Sequence, residues 1–486
     1  MKQQADIVIK GGLVLTVDAE RSILPDGAVA IDGGRIARVA STTEIDAAYE
    51  GAKTINATGK LVMPGLVNAH THVIGTLLRG GLSQDRELYD WLFNVLYPGL
   101  AAYSPDDARI GALLYCAEAV RSGITTIVDN ADQGRSDDIA VATIETYREA
   151  GVRAIYARMF FDATAEHMSK LVELMMRKGV KVRHATDLIE STDDAFAQIE
   201  SLIDRFHGAE DGRLGVWPAP SVPNATSEDG LARANELAAR HGTMTTIHLA
   251  EAPLDATIHG VTSTEYLHAL GFLSPRLLAA HCVYVTERDV RLLQANGVAV
   301  AHNAISNLYL ASGFAPIARM VAHGITVAIT TDDANCNESV NLLEAMKFAA
   351  LVQRARDLDA TALTSEKVVE MVTIDAARAI GLDDEIGSLE AGKRADVLVL
   401  GLAQPQLVPL HHVPNALVYQ AYGSEVETVI IDGAPVMENR ELRFLDGARE
   451  TELYRDAQAA SAAIAERAGL PGADGRWRQA GPKQAR

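Results

Sequence analysis

Two periodicities divide the chain. Over residues 5 to 62, apolar and polar positions alternate in short runs separated by glycine-rich turns, as in Ile7-Val8-Ile9-Lys10-Gly11-Gly12-Leu13-Val14 and Val29-Ala30-Ile31-Asp32-Gly33-Gly34-Arg35-Ile36. A period of two predicts strands and turns, here with no helix. From His70 onward, apolar strand-like runs alternate with amphipathic helical stretches, the pattern of parallel βαβ units. One helix is clearly punctuated: Ser104 can cap it, Pro105 takes the first helical position, Asp106 and Asp107 suit its positive end, and Gly123 stops it. Apolar runs end near His70, Val128, Met159, Pro218, Leu249, His281, His302 and Thr331. Eight such runs with intervening helices predict a (β/α)8 TIM barrel, an α/β fold.

After about residue 375 the β pattern returns. Ile386-Gly387-Ser388-Leu389 leads through a glycine turn into Val397-Leu398-Val399-Leu400, and Val429-Ile430-Ile431-Asp432-Gly433 resembles the glycine-turn strands of the N-terminus. The two ends are therefore expected to pair into one small β-sandwich domain. The resulting division is 1–62 and 376–449 for that domain, 63–375 for the barrel, and 450–486 for an Ala-rich helix and a polar tail expected to be mobile. Length alone would allow either two to four domains or one large barrel with an appendage.

Composition narrows the partners. Against 64 Asp and Glu stand only 44 Lys and Arg, a net charge of -20, which is the wrong sign for gripping a phosphate backbone. Nucleic acid is not expected, and a small neutral molecule suits the acidic surface better than an anion. The N-terminus lacks a secretory apolar region and no run is long enough to span a bilayer, so a cytoplasmic protein with no membrane partner is expected. Cys116, Cys282 and Cys336 are odd in number and far apart, so any metal must be held mainly by His and carboxylate.

Barrel active sites lie at the C-terminal ends of the strands. The first run ends in His70 and His72, which share a face if the run is a strand; the fifth ends in His248 and the eighth in Asp332. Three imidazoles and one carboxylate make a four-ligand set for a divalent metal. Glu251, three residues past His248, is placed to move a proton between water and a ring nitrogen, and His281, ending the sixth run, to orient the attacking oxygen. A two-metal barrel would usually carry a carboxylated lysine on its fourth strand, and Leu214-Gly215-Val216-Trp217-Pro218-Ala219-Pro220 has none, so one metal is predicted.

The ordered set His70, His72, His248, Glu251, His281 and Asp332 resembles the mononuclear amidohydrolase superfamily over nearly the whole chain. Longer strings resemble its s-triazine hydrolase group more closely: Leu78-Arg79-Gly80-Gly81, Tyr89-Asp90-Trp91-Leu92-Phe93-Asn94-Val95, Arg158-Met159-Phe160-Phe161-Asp162 and Met346-Lys347-Phe348. The resemblance implies Zn(II) or Fe(II) as the metal and a homo-oligomer. It also implies a reaction at an electron-poor N-heteroaromatic ring. The loop Asp332-Asp333-Ala334-Asn335-Cys336 looks like the deaminating rather than the dechlorinating members. An amine leaves poorly unless protonated, and Asp333 can relay a proton where an Asn cannot.

The expected reaction is release of ammonia from an amino-s-triazine such as melamine. Guanine or a pterin is the natural-metabolite alternative, and dechlorination of a chloro-s-triazine is the rival reaction. A metal-free scaffold is a third reading, opposed by the intact ligand set. Leu88, Trp91 and Phe161 are expected to pack the flat ring, with Asn130 and Cys336 as further substrate-binding residues. Gly75 stands where the triazine enzymes carry a polar residue, and is expected to open space for substrate. His302 and the loop Ser221-Val222-Pro223-Asn224 also depart from that group.

Overall fold

The computed structural model describes residues 2–131, 137–162, 172–173, 175–177 and 189–470. The expected polar tail after residue 470 lies outside the described residues. Eight strands sit where the apolar runs place them: β1 (Leu66–His72), β2 (Ile124–Ala131), β3 (Arg153–Phe160), β4 (Leu214–Pro220), β5 (Thr245–Leu249), β6 (Leu277–His281), β7 (Ala299–His302) and β8 (Val327–Ile329). Helices follow them, among them α1 (Pro105–Arg121) after β1 and α2 (Glu228–His241) after β4. Ser104 caps α1 through the Asp107 N–H, with Pro105 at its start, as its punctuation predicts.

The ladders β1 to β4 and β5 to β8 are each parallel. Two seams close them into a ring. At one, the His248 N–H donates to the Ser221 carbonyl at 3.0 Å; at the other, Asp332 and Asp333, just past β8, pair in parallel with Thr71 and His72. Alternate residues enter two separate apolar clusters. Val67, Ala69, Val128, Ala157, Trp217, Ala219, Ala280 and Ala301 belong to the one that fills the barrel. Ile127, Tyr156, Val216, Ile247, Ala279 and Val300 belong to the layer shared with the helices. Strands buried on both faces explain the continuous apolar runs.

Both chain ends contribute to a nine-stranded sheet, in which Lys60–Pro64 from the N-terminal part pairs antiparallel with Val397–Gly401 from the C-terminal part. The hydrogen bonding runs as one continuous sheet. The expectation of no helix within residues 5–62 is corrected by a helix over Thr42–Ala48. Its start is a capping box: Ser41 accepts from the Glu44 N–H while the Glu44 carboxylate accepts from the Ser41 N–H, a signature that overrides the surrounding alternation. A helix over Gly447–Arg467 returns to α1, where Arg467 reaches Asp107 at 2.6 Å and Arg121 reaches Glu450 at 2.8 Å. Among the described residues no helix is long and apolar enough to cross a membrane.

Candidate metal centre

Simple alternation would turn His70 and His72 outward, because Val67 and Ala69 already point into the barrel. A β-bulge reverses this. Asn68 pairs with Ile127 but Thr71 with Asp129, so three residues of β1 cover the distance of two on β2. The extra residue re-aims both imidazoles toward the barrel mouth. Asn68 holds the bulge from outside, donating to Tyr115 Oη at 3.0 Å and Thr331 Oγ1 at 2.7 Å and accepting the Thr331 N–H at 3.1 Å. At other strand ends the backbone itself turns: Ala250, His281 and Asp332 have φ of 50°, 71° and 62°. Left-handed backbone at non-glycine residues clusters at functional sites.

Six side chains converge there. His70 Nε2 and His72 Nε2 each lie 3.5 Å from Asp332 Oδ1, and His72 Nε2 lies 3.2 Å from His248 Nε2. His281 Nε2 is 3.9 Å from Asp332 Oδ2 and 3.6 Å from Glu251 Oε2. The orientations are fixed from behind. His248 Nδ1 donates to the Ser221 carbonyl at 2.9 Å and His281 Nδ1 to Asn307 Oδ1 at 2.9 Å. Ser306 Oγ donates to Asp332 Oδ2, and the Asn130 amide bonds His70 Nδ1. A ring that donates from Nδ1, as those of His248 and His281 do, presents Nε2 as a lone pair.

Burial first, and mutual repulsion after it, push His70 down to about 4 and His72 and His248 to about 3, so all three rings are neutral at pH 7. Burial opposes ionisation of Asp332 too, but the imidazoles of His70, His281 and His72 around it hold its pKa well below the usual carboxylate range. Neutral imidazole and ionised carboxylate are the ligating forms.

These residues fit a divalent metal. The buried His70 Nε2 makes no hydrogen bond. Bonds of about 2.1 Å in a tetrahedron set ligand atoms about 3.4 Å apart, against the 3.2 and 3.5 Å found here. Both sets of potential ligands, His70-His72-Asp332 and His70-His248-His281, share His70 and describe a single centre.

Glu251 is buried beside that centre, and desolvation raises its pKa to about 8 even though His281 pulls it down. His281 shows the reverse balance, since burial lowers its pKa but the Glu251 and Asp332 carboxylates raise it further. Two adjoining cavities open from the site. The inner one, about 430 Å³, is walled by Leu88, Trp91, Leu96, Tyr97, Met159 and Phe161 with His72, His248, Glu251, His281 and Asp332. The outer one, about 650 Å³, adds Tyr89, Phe93, Ile189, Asn224, Ala225 and Asp255. The structure thus brings Leu88, Trp91 and Phe161 to the cavity wall, and Trp91 Nε1 is anchored on Asn335 Oδ1 at 2.7 Å.

Three expected site residues, Asn130 and Cys336 for substrate and Asp333 for proton relay, lie outside both cavities. Asn130 bonds the His70 ring instead of lining either cavity. Cys336 is buried among Leu77, Leu78, Leu88 and Trp91, with its thiol on the Asp333 carbonyl. Asp333, expected to protonate the leaving amine, caps the short helix Ala334–Asn337 through the Asn335 N–H at 2.9 Å and lines neither cavity.

Gly75 explains why Asp333 fits there. A Cβ at this position would lie 1.7 Å from Asp333 Oδ1, so the missing side chain makes room for that carboxylate and not for substrate. Gly75→Ala is expected to cost about 1–3 kcal/mol of stability by overpacking. A urea unfolding curve reads the loss, and adding Asp333→Ala should recover most of it. His302 shares parity with Val300 in the outer layer and is also absent from the cavities. Burial lowers its pKa to about 3.

The residues that hold the centre from behind escaped sequence reading. Asn303, Ser306 and Asn307 follow β7 at spacings of three and four, one face of the short helix Ala304–Tyr309 and its cap, and that spacing was the available signal.

Comparison with known proteins agrees with this architecture. The chain matches the amidohydrolase family over residues 61–436. It is 39% identical to an S-triazine hydrolase of Gordonia rubripertincta over 483 residues, covering 96% of this chain and 98% of the relative. It is 35% identical to a 5'-deoxyadenosine deaminase of Methanosarcina barkeri over 468 residues, 95% and 99% of the two chains. Among solved structures, an adenosine deaminase from Xanthomonas campestris with bound zinc superimposes with a TM-score of 0.86 at 30% identity, covering 96% of this chain and all of that one. Atrazine chlorohydrolase from Arthrobacter aurescens, in complex with zinc, gives 0.84 at 26% identity over 94% and 100%. With a barrel of this type, its histidine-rich centre and relatives matched along their whole length, the chain belongs to the amidohydrolase family and is an enzyme that hydrolyses carbon–nitrogen bonds.

Proposed function

We propose that the protein is an aminohydrolase that replaces an exocyclic amine on a flat N-heteroaromatic ring by oxygen and releases ammonia, with amino-s-triazines such as melamine as its first substrates. The observation that carries this reading is the single-metal geometry with a buried carboxylate, Glu251, 3.6 Å from His281 Nε2 at the floor of an apolar slot. Held by His70, His72, His248 and Asp332, one Zn(II) or Fe(II) would supply the Lewis acidity that activates water. Glu251 takes the proton from the attacking water. A pKa raised by burial lets it hold that proton and return it to a ring nitrogen, which makes the adjoining carbon easier to attack; the second proton of the water would then pass to the amine, whose bond to the ring breaks as it leaves as ammonia. His281, fixed by Asn307, faces the same point and orients the attacking oxygen. Leu88, Trp91 and Phe161 confine the ring, and their apolar surface excludes competing water.

A second reading, deamination of a purine, a pterin or an adenine nucleoside, is favoured by the outer cavity that adjoins the slot and offers a second compartment for the rest of a larger substrate. It is favoured too by the deoxyadenosine deaminase among the relatives. Asp333, whose carboxylate favoured deamination over dechlorination, caps a short helix and does not reach the cavity, so it does not separate the two reactions and a substrate panel has to.

The test is ammonia and chloride release from melamine, a chlorotriazine, guanine, isoxanthopterin and 5'-deoxyadenosine. Ammonia from melamine fastest of all is the expected result. Ammonia chiefly from the nucleoside would move the assignment to the second reading, and chloride without ammonia would overturn it. A homo-oligomer is proposed from the resemblance, and light scattering on the eluting protein would count its subunits.

A further inference from the structure

Asp255 has no role in the chemistry above, yet it occupies a costly position. It is 5% exposed, lines the outer cavity beside Glu251, and has no ion pair among the described residues. A buried carboxylate without a cation must be compensated by hydrogen-bond donors. Three converge on it. Oδ2 accepts the Glu251 backbone N–H at 3.0 Å, while Oδ1 accepts the Ala252 N–H at 2.8 Å and the Tyr89 hydroxyl at 3.2 Å. Its own carbonyl accepts Ser263 Oγ, at the start of the next helix.

The segment it grips turns abruptly. Ala250, directly before Glu251, has φ of 50°, which an alanine rarely adopts. The Leu249 and Ala250 carbonyls are held on one side by the Cys282 and Tyr284 N–H groups at 2.9 and 2.8 Å. A strained backbone persists only where its surroundings over-determine it, and on the other side the determinant is Asp255. Tyr89 adds a second connection, because it lies between Leu88 and Trp91 in sequence and both of those wall the inner cavity.

We propose that Asp255 is the positioning residue for Glu251: its carboxylate sets the backbone from which Glu251 reaches the centre and, through Tyr89, registers the ring-binding wall against it. The proposal rests on the role given to Glu251 above.

The test is Asp255→Asn in the metal-loaded full-length protein, assayed with whichever panel compound releases ammonia fastest. The amide keeps the shape but turns an NH2 group toward a backbone N–H. Misplacing a reacting group by about 1 Å costs on the order of 10²-fold. The expected result is a kcat lower by about 10- to 100-fold, with KM within about threefold and metal content and unfolding midpoint near wild type. Hydrogen exchange at the Glu251 and Ala252 amides should accelerate. A kcat within twofold of wild type, or a loss confined to KM, would overturn the proposal. If the variant fails to fold or to load metal, Tyr89→Phe decides, since it removes one hydroxyl: a kcat lowered about three- to tenfold supports the proposal and an unchanged kcat overturns it. Glu251→Gln run in parallel separates the two claims, because full activity there would remove the role of Glu251 itself.

Discussion

Glu251→Gln is expected to slow ammonia release by about 10³-fold while leaving the bound metal in place. A positioned acid or base contributes about 10²- to 10⁴-fold, and 10³-fold corresponds to about 4 kcal/mol of activation free energy. Gln has the shape of Glu but cannot accept the proton of the attacking water. Glu251 lies 3.6 Å from His281 Nε2 and is not in the His70-His72-His248-Asp332 set, so metal content should be unchanged. Stability should hold or rise. Burial works against the ionised form of Glu251, raising its pKa to about 8; a neutral amide escapes that penalty, the usual trade of stability for activity at a reactive site. Steady-state kinetics, metal analysis and a thermal melt on one preparation check all three statements. Loss of metal together with activity would instead make Glu251 part of the binding set.

His248→Ala is expected to have the opposite signature, with metal and activity lost together. His248 presents Nε2 to His72 Nε2 at 3.2 Å, and its Nδ1 is tied to the Ser221 carbonyl. Without it, two imidazoles and Asp332 remain of the proposed four. Removing merely an outer partner of a metal ligand typically costs about 10- to 100-fold in affinity, so loss of the ligand itself should exceed about 10²-fold. Metal analysis after dialysis should find the variant largely empty, and ammonia release should recover only at high added metal. Full metal content after dialysis would show that His281 replaces it in the ligand set.

Much of this was legible from residue order. Apolar runs bounded by turns located all eight barrel strands because parallel strands, buried on both faces, must be apolar throughout. The ligand types were legible too, since histidines and an aspartate ended those runs. What alternation could not show is how they face inward. His70 and His72 share the parity of Asn68, which points outward, and only a bulge visible in the pairing with β2 reverses them. Asp332 and His281 depend likewise on left-handed backbone that their side chains do not announce.

Proximity in sequence was the weaker guide. Asn130, Asp333 and Cys336 stand beside site residues along the chain but face the His70 ring, the Asn335 amide and an apolar cluster. Asp255, four residues from Glu251, was overlooked because an acidic loop residue near a proline resembles an ordinary solvated turn. The helix after Ser41 was readable from its capping box, and only the dominance of alternation around it concealed it.

The central claim is that one metal ion at this centre, together with Glu251, performs the hydrolysis. The most direct measurement is a titration of metal-stripped protein with zinc, following ammonia release from the best substrate of the panel against bound metal per subunit. Activity should rise in proportion to bound metal and stop rising at one ion per subunit, with Glu251→Gln binding the same amount and remaining inactive. Ammonia release from the stripped protein, or a rise that continues to two ions per subunit, would contradict the account.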